Sequence, residues 1–139
     1  MATVFTKIIK GDIPGTFVWR DEQCVGFMSI NPLRPGHTLV VPRLEVDHWL
    51  DCPPELRDHL FGVSQTISAA IAEVYKPEKV GLLIAGLEVP HMHIHLVPIN
   101  GVHDLDFANA STTTDRDDLE RAAAAIRGVL KRRGVSGGS

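Results

Sequence analysis

The chain has 139 residues, 44 % of them hydrophobic, with a net charge of −3 and a pI of about 6.1. That length predicts one domain spanning residues 1–139 with material for a real core, and mild acidity argues against bulk nucleic-acid or anionic-membrane binding. No apolar run approaches the roughly 18 residues that a membrane span needs. Met1-Ala2-Thr3-Val4-Phe5-Thr6-Lys7 lacks the charged-then-apolar build of a signal peptide, so the expected compartment is the cytoplasm. Cys24 and Cys52 have neither metal nor redox spacing and are expected to be reduced thiols.

Residues 4–10 mix apolar and basic side chains and read as a short helix or turn, closed by turn chemistry at Gly11-Asp12-Ile13-Pro14-Gly15. Thr16 to Arg20 and Cys24 to Ser29 are strand candidates around the turn Asp21-Glu22-Gln23, giving a hairpin. A loop held by Pro32, Pro35 and Gly36 delivers His37 to a third strand, His37 to Pro42. After Pro53-Pro54, the residues Leu56, Leu60, Val63, Ile67, Ile71 and Val74 recur at helical period, and Pro77 stops the helix. Lys79 to Ala85 is continuously apolar after its first residue, which predicts a central strand, and Gly86-Leu87-Glu88 reads as a tight connection. Gly101 to Thr114 has few apolar anchors and is read as a mobile loop or partner-contacting arm. A last helix begins at Thr114-Asp115, has a stripe of Leu119, Ala122, Ala123, Ile126 and Leu130, and ends at Gly134; residues 135–139 are expected to be a disordered tail. Strands, helix, strands, helix is an α+β order with an antiparallel sheet.

Three of the seven histidines lie in Val89-Pro90-His91-Met92-His93-Ile94-His95-Leu96-Val97-Pro98 at strict alternation. On a strand these imidazoles would share one face, about 6.5–7 Å apart, with Met92, Ile94 and Leu96 on the other. The row admits metal binding, nucleophilic or acid–base catalysis, or a purely structural role. The last is disfavoured because a row of imidazoles has no packing advantage and repels itself when protonated. No carboxylate follows at a metal-triad spacing, and Pro90 and Pro98 suit an edge or a site rim. His37, if its strand shares the sheet, can approach the row and fix a tautomer.

The motif His91-Met92-His93-Ile94-His95-Leu96-Val97 resembles the signature of the histidine triad (HIT) superfamily. Phe5 to Pro14 resembles that family's N-terminal segment, and Pro35-Gly36-His37-Thr38-Leu39-Val40-Val41-Pro42 resembles its Pro-Gly-His block, so the likeness runs in register over about residues 4–100. The resemblance implies an antiparallel sheet of about five strands with two main helices, usually a two-fold homodimer. It also implies a hydrolase or transferase for purine nucleotides or nucleotide conjugates, of phosphoramidase or nucleotidyl-hydrolase type, acting at the α-phosphate with no metal cofactor. By the same likeness His93 is the nucleophile, His95 contacts phosphate and leaving group, His91 orients His93 partly through its carbonyl, and His37 supports the network. Phe5, Ile8, Ile13, Phe27 and Ile30 would enclose the base, although apolar residues at such positions are equally what a core contains.

The chain departs from that pattern in places. Ser29 stands where many relatives carry an aspartate that grips the ribose, and a serine makes one such bond instead of a charge-assisted pair. Leu87 replaces a frequent glutamine, and the asparagine often found before Gly86 is missing. Glu88, if it faces the site, opposes a phosphate unless neutralised; pointing outward, it is a solvated loop residue. Thr3, Thr6 and Glu45 occupy positions where some bacterial relatives hold a structural Zn²⁺, and no metal is expected. His48, His59 and His103 are read as surface histidines. A nucleotide-binding module without catalysis and a metal-binding histidine row remain alternatives.

Overall fold

A computed structural model of the protein describes residues 2–135. Helix α1 (Val4–Lys10) is capped by the Thr3 hydroxyl and ends at Gly11 in the left-handed conformation. The strands are β1 (Phe17–Arg20), β2 (Cys24–Met28), β3 (Thr38–Pro42), β4 (Lys79–Leu83) and β5 (Ile94–Ile99). They form one antiparallel sheet in the order β1-β2-β3-β5-β4. Helix α2 (Pro54–Tyr75) follows β3, and α3 (Arg116–Arg132) closes the described chain with an Asp115/Asp118 capping box. Five antiparallel strands and three helices are the α+β architecture expected, with α1 as the short helix of the N-terminal segment.

Alternation along the strands divides the sheet into two faces. Cys24, Met28, Val40, Ile94 and Leu96 point to one, where Leu60, Val63, Ile67 and Ile71 of α2 and Ala123, Ile126, Val129 and Leu130 of α3 seal the main core. Val25, Phe27, Leu39 and Val41 point to the other and pack with Phe5 of α1. A register irregularity between Phe17 and Trp19 lets both Val18 and Trp19 join the main core. The cross-strand neighbours Phe17, Phe27, Leu39, His95 and Leu83 make one row across all five strands.

Four sequence expectations are corrected. β4 is an edge strand, paired only with β5; none of its residues is fully buried, although Val80 packs on the main core and Leu105 lies beside Gly81. β5 is interior, so Pro90 and Pro98 do not mark an edge; Pro98 pairs with Val80, while pairing with β3 already ends at Leu96. The histidine motif is only partly strand, since regular pairing begins at Ile94 and residues 84–93 are an irregular segment rather than a tight connection. Residues 101–114 hold two 3-10 turns, Val102–Leu105 and Phe107–Asn109, pinned by the Ser111 N–H to the Pro32 carbonyl at 2.9 Å.

Val135 also departs from the tail expectation: its N–H donates to the Leu130 carbonyl and its side chain packs on the core, whereas 136–139 lie outside the described residues. His59 is not a free surface residue, because Nε2 lies 2.7 Å from Asp21 Oδ2. Burial alone would raise the Asp21 carboxyl, but hydrogen bonds from Trp19, the Gln23 and Cys24 amides and His59 outweigh it and hold it at about 2. This knot ties the β1–β2 turn to α2.

Candidate active site

The loop before β3 builds the first member of the site. Gly36 has φ of +96°, and a Cβ there would meet the Tyr75 ring at 2.5 Å, so only glycine makes this turn. The turn sets His37 two residues before Leu39, on the face that also carries His95. The Leu33 N–H donates to His37 Nδ1 at 3.0 Å. An imidazole that accepts at Nδ1 carries its proton on Nε2, so His37 Nε2–H donates to His95 Nδ1 at 2.9 Å. By the same logic His95 carries its own proton on Nε2.

His93 is set the other way round. Its Nδ1 lies 2.8 Å from the His91 carbonyl, which can only accept, so the proton is on Nδ1 and the Nε2 lone pair is free. His91 is locked in turn: Nε2–H donates to the Pro42 carbonyl at 2.7 Å, and Nδ1 accepts from the Thr3 hydroxyl at 2.7 Å. The rings of His93 and His95 are 4.8 Å apart, and Phe5 packs edge-on against His93 at 4.9 Å. Ser64 Oγ is the one fully buried side-chain polar atom without a partner among the described residues, so the remaining ring nitrogens of His93 and His95 are not fully buried, although of the two rings only His93 lines the cavity described below. The site therefore juxtaposes a lone pair and an N–H donor of opposite tautomeric sense.

All three rings favour the neutral form. Burial, then the charges of His95 and His93, takes His37 down to about 3. Burial, then His93, takes His95 to about 4. Burial lowers His93 too, although its bond to the His91 carbonyl and the charge of Glu88 pull the other way.

A cavity of about 710 Å³ lies against this face. It takes in His37 and His93, and of the expected nucleotide contacts Phe5, Ile8, Phe27, Ser29, Ile30 and Glu88 line it. Ile13 does not; the turn after Gly11 brings Pro14, Gly15 and Thr16 to the wall instead. Glu88 is at once exposed and part of the lining, and Leu87 points to solvent at 94 % exposure. Sequence reasoning missed Phe107, whose ring lies 5.1 Å from that of His95, and Asn31, Thr112, Thr114 and Arg116, which complete the wall. A 3-10 turn and a helix start have no local pattern that flags a site.

Both ring nitrogens of His91 are engaged, so the triad leaves one free nitrogen each on His93 and His95. Fold and site together define a histidine-triad protein. The chain belongs to the HIT domain family, whose model matches residues 10–102. Proteins of this family bind nucleotides and act on them as hydrolases or transferases. The chain is 32 % identical over 131 residues to protein hit of Bacillus subtilis, covering 88 % of this chain and 90 % of that one. It is 28 % identical over 134 residues to the adenylylsulfatase HINT3 of Arabidopsis thaliana, covering 93 % and 68 %. Among solved structures, a Zn-bound histidine triad family protein from Mycobacterium smegmatis superposes with a TM-score of 0.80 at 29 % identity, over 96 % of each chain. Among the described residues no helix is long and apolar enough to cross a membrane.

Thr3, Thr6 and Glu45 do converge here, but as hydrogen-bond partners: Thr3 N–H donates to Glu45 Oε1 at 2.9 Å, and the Thr6 hydroxyl donates to the same oxygen. Zn²⁺ takes thiolate, imidazole or carboxylate, and two neutral hydroxyls, already engaged, do not fit it. Asp21, Cys24 and His59 also gather three ligand atoms within 4.8 Å. There, burial and Asp21 push the Cys24 thiol far up, and the Asp21 carboxylate already accepts five hydrogen bonds, one of them from that thiol.

Proposed function

We propose that the protein is a nucleotidyl hydrolase or transferase of phosphoramidase type, acting at the α-phosphate of a purine nucleotide or nucleotide conjugate through His93. The observation that carries this is the opposed protonation of the two neighbouring rings, a free Nε2 on His93 beside an Nε2–H on His95. In the first step His93 Nε2 bonds to the α-phosphorus. The bond from phosphorus to the leaving nitrogen or oxygen breaks, and the leaving group departs with its electron pair and takes a proton from water. The proton stays on His93 Nδ1, donated in a hydrogen bond to the His91 carbonyl, and holds the resulting imidazolium in place. His95 Nε2–H donates to a phosphoryl oxygen as charge redistributes. Water then attacks phosphorus and releases a proton to solvent, making good the one taken in the first step; the N–P bond breaks, its electron pair returns to Nε2, and the nucleotide leaves with His93 restored. His37 and His91 are positioning residues. Phe5, Ile8, Phe27 and Ile30 supply the apolar surface for the base, and the name of the relative HINT3 supports an adenylyl group as the part transferred.

The test is a covalent trap. The protein is incubated with an adenosine phosphoramidate, quenched in base and weighed intact, with His93→Ala as control. An adenylyl adduct on the wild type alone is expected. Retained turnover in clean His93→Ala protein would sink the mechanism, and nucleotide affinity with neither adduct nor product would point to a binding module.

We propose further that two copies pair as a homodimer. β4 has one unpaired edge, and Leu82 on it is exposed. Light scattering at micromolar concentration should give twice the mass of the chain.

A further inference from the structure

The cavity has a second polar region that the triad does not use. Ser29 and Asn31 follow β2, while Thr112 and Thr114 lead into α3, whose first residue is Arg116, and the Ser111–Pro32 hydrogen bond keeps the two segments side by side. Of the first turn of α3 only Arg116 and Leu119, three residues apart on one helix face, line the cavity; Asp117 and Asp118 do not. The helix end is therefore not itself an anion site, and the cation is the side chain.

Arg116 is also unusual among the arginines. Arg34, Arg57, Arg121, Arg127, Arg132 and Arg133 are in ion pairs, Arg20 lies over the Phe17 ring, and Arg43 donates to the Asp21 carbonyl. Arg116 alone has no such partner among the described residues. The cavity's one carboxylate, Glu88, is close enough to His93 for its charge to be felt there.

These placements separate two ways in which a nucleotide carries extra phosphate. Lengthening the 5′ chain adds negative charge where Glu88 repels it. With the base on Phe5, Ile8, Phe27 and Ile30 and the α-phosphate at His93, a phosphate on the ribose would instead face the hydroxyls, the Asn31 amide and the free Arg116 guanidinium that line the same cavity, the donor set that phosphate prefers. Resting on the nucleotide reading above, we propose that the favoured substrates carry a second phosphate on the 2′ or 3′ hydroxyl of the ribose, held by Arg116 with Ser29 and Asn31.

Titration calorimetry on the full chain tests this with four probes: AMP, ADP, adenosine 2′,5′-bisphosphate and adenosine 3′,5′-bisphosphate. One of the bisphosphates should bind roughly fivefold to tenfold tighter than AMP, and which one does so identifies the hydroxyl. ADP should show no gain. Arg116→Gln should bring the ratio of bisphosphate to AMP affinity close to one, with Arg116→Lys keeping part of it; the residue is exposed, so both variants should fold. Bisphosphates no tighter than AMP, an equal gain for ADP, or a gain that survives Arg116→Gln would each overturn the proposal while leaving the nucleotide site standing. Failure of every nucleotide to bind would overturn both.

Discussion

On the helix-covered face of the sheet, β2, β3 and β5 send Cys24, Met28, Val40, Ile94 and Leu96 into a core that α2 and α3 seal. On the other face the same strands send Val25, Phe27, Leu39 and His95, and α1, the segment carrying Val89 and His93, and the segment around Phe107 stand over them. One set of backbone pairings thus serves two ends. The sealed face supplies most of the apolar burial that holds the fold together. The open face leaves a cavity of about 710 Å³ where ring nitrogens can meet a ligand.

The division can be broken by substitutions that should damage one property and spare the other. His93→Ala should lower turnover at least about a thousandfold while thermal unfolding stays cooperative, read by paired kinetics and calorimetry. Ile67→Ala should do the reverse. Ile67 is fully buried and packs over Gly26, so the truncation should cost about 2–5 kcal/mol in urea unfolding, with turnover per folded molecule unchanged.

Titration sharpens the contrast, because the open face holds the depressed imidazoles. Between the ordinary histidine value near 6.5 and the folded values of about 4 for His95 and about 3 for His37, the unfolded chain binds protons that the native chain refuses. Their contribution to stability is therefore complete above about pH 6.5 and falls as pH drops through this window, by up to about 1.4 kcal/mol per pH unit for each histidine. Urea midpoints from pH 7 to 4.5 should show the decline, and His95→Gln should flatten it. Asp21, held at about 2, acts lower: its stabilisation is present above about pH 4 and is lost as pH falls towards 2.

Smaller effects test the supports. Thr3→Val leaves the buried His91 Nδ1 without its donor and should destabilise by about 1–3 kcal/mol, measured by thermal melting. Phe107→Ala, at a ring 41 % exposed, should cost less than about 1 kcal/mol and register instead as a higher KM.

Residues whose role is set by local periodicity were readable from sequence. The stripe from Leu56 to Val74 is such a case, because a helix imposes its period whatever surrounds it, and the hairpin at Asp21-Glu22-Gln23 was legible from its turn residues. Position in the sheet was not readable: the apolar run of β4 looked central, yet β4 lies at an edge with Leu82 exposed. Nor were pairings across distance. Asp21 and His59 are 38 residues apart, Thr3 and His91 are 88 apart, and Phe107 and Arg116 reach the cavity only because distant segments fold over it. His37 is intermediate, since its turn was legible but its bond to Leu33 was not.

That last bond has a consequence for how the site tolerates change. The chain of hydrogen bonds that sets the His95 proton starts at a main-chain N–H, that of Leu33, and not at a side chain. Every genetically encoded residue except proline carries that hydrogen. Mutational drift at position 33 can therefore alter packing in the loop while the proton arrangement at the cavity persists, and Leu33→Pro is the single exchange there that removes the donor.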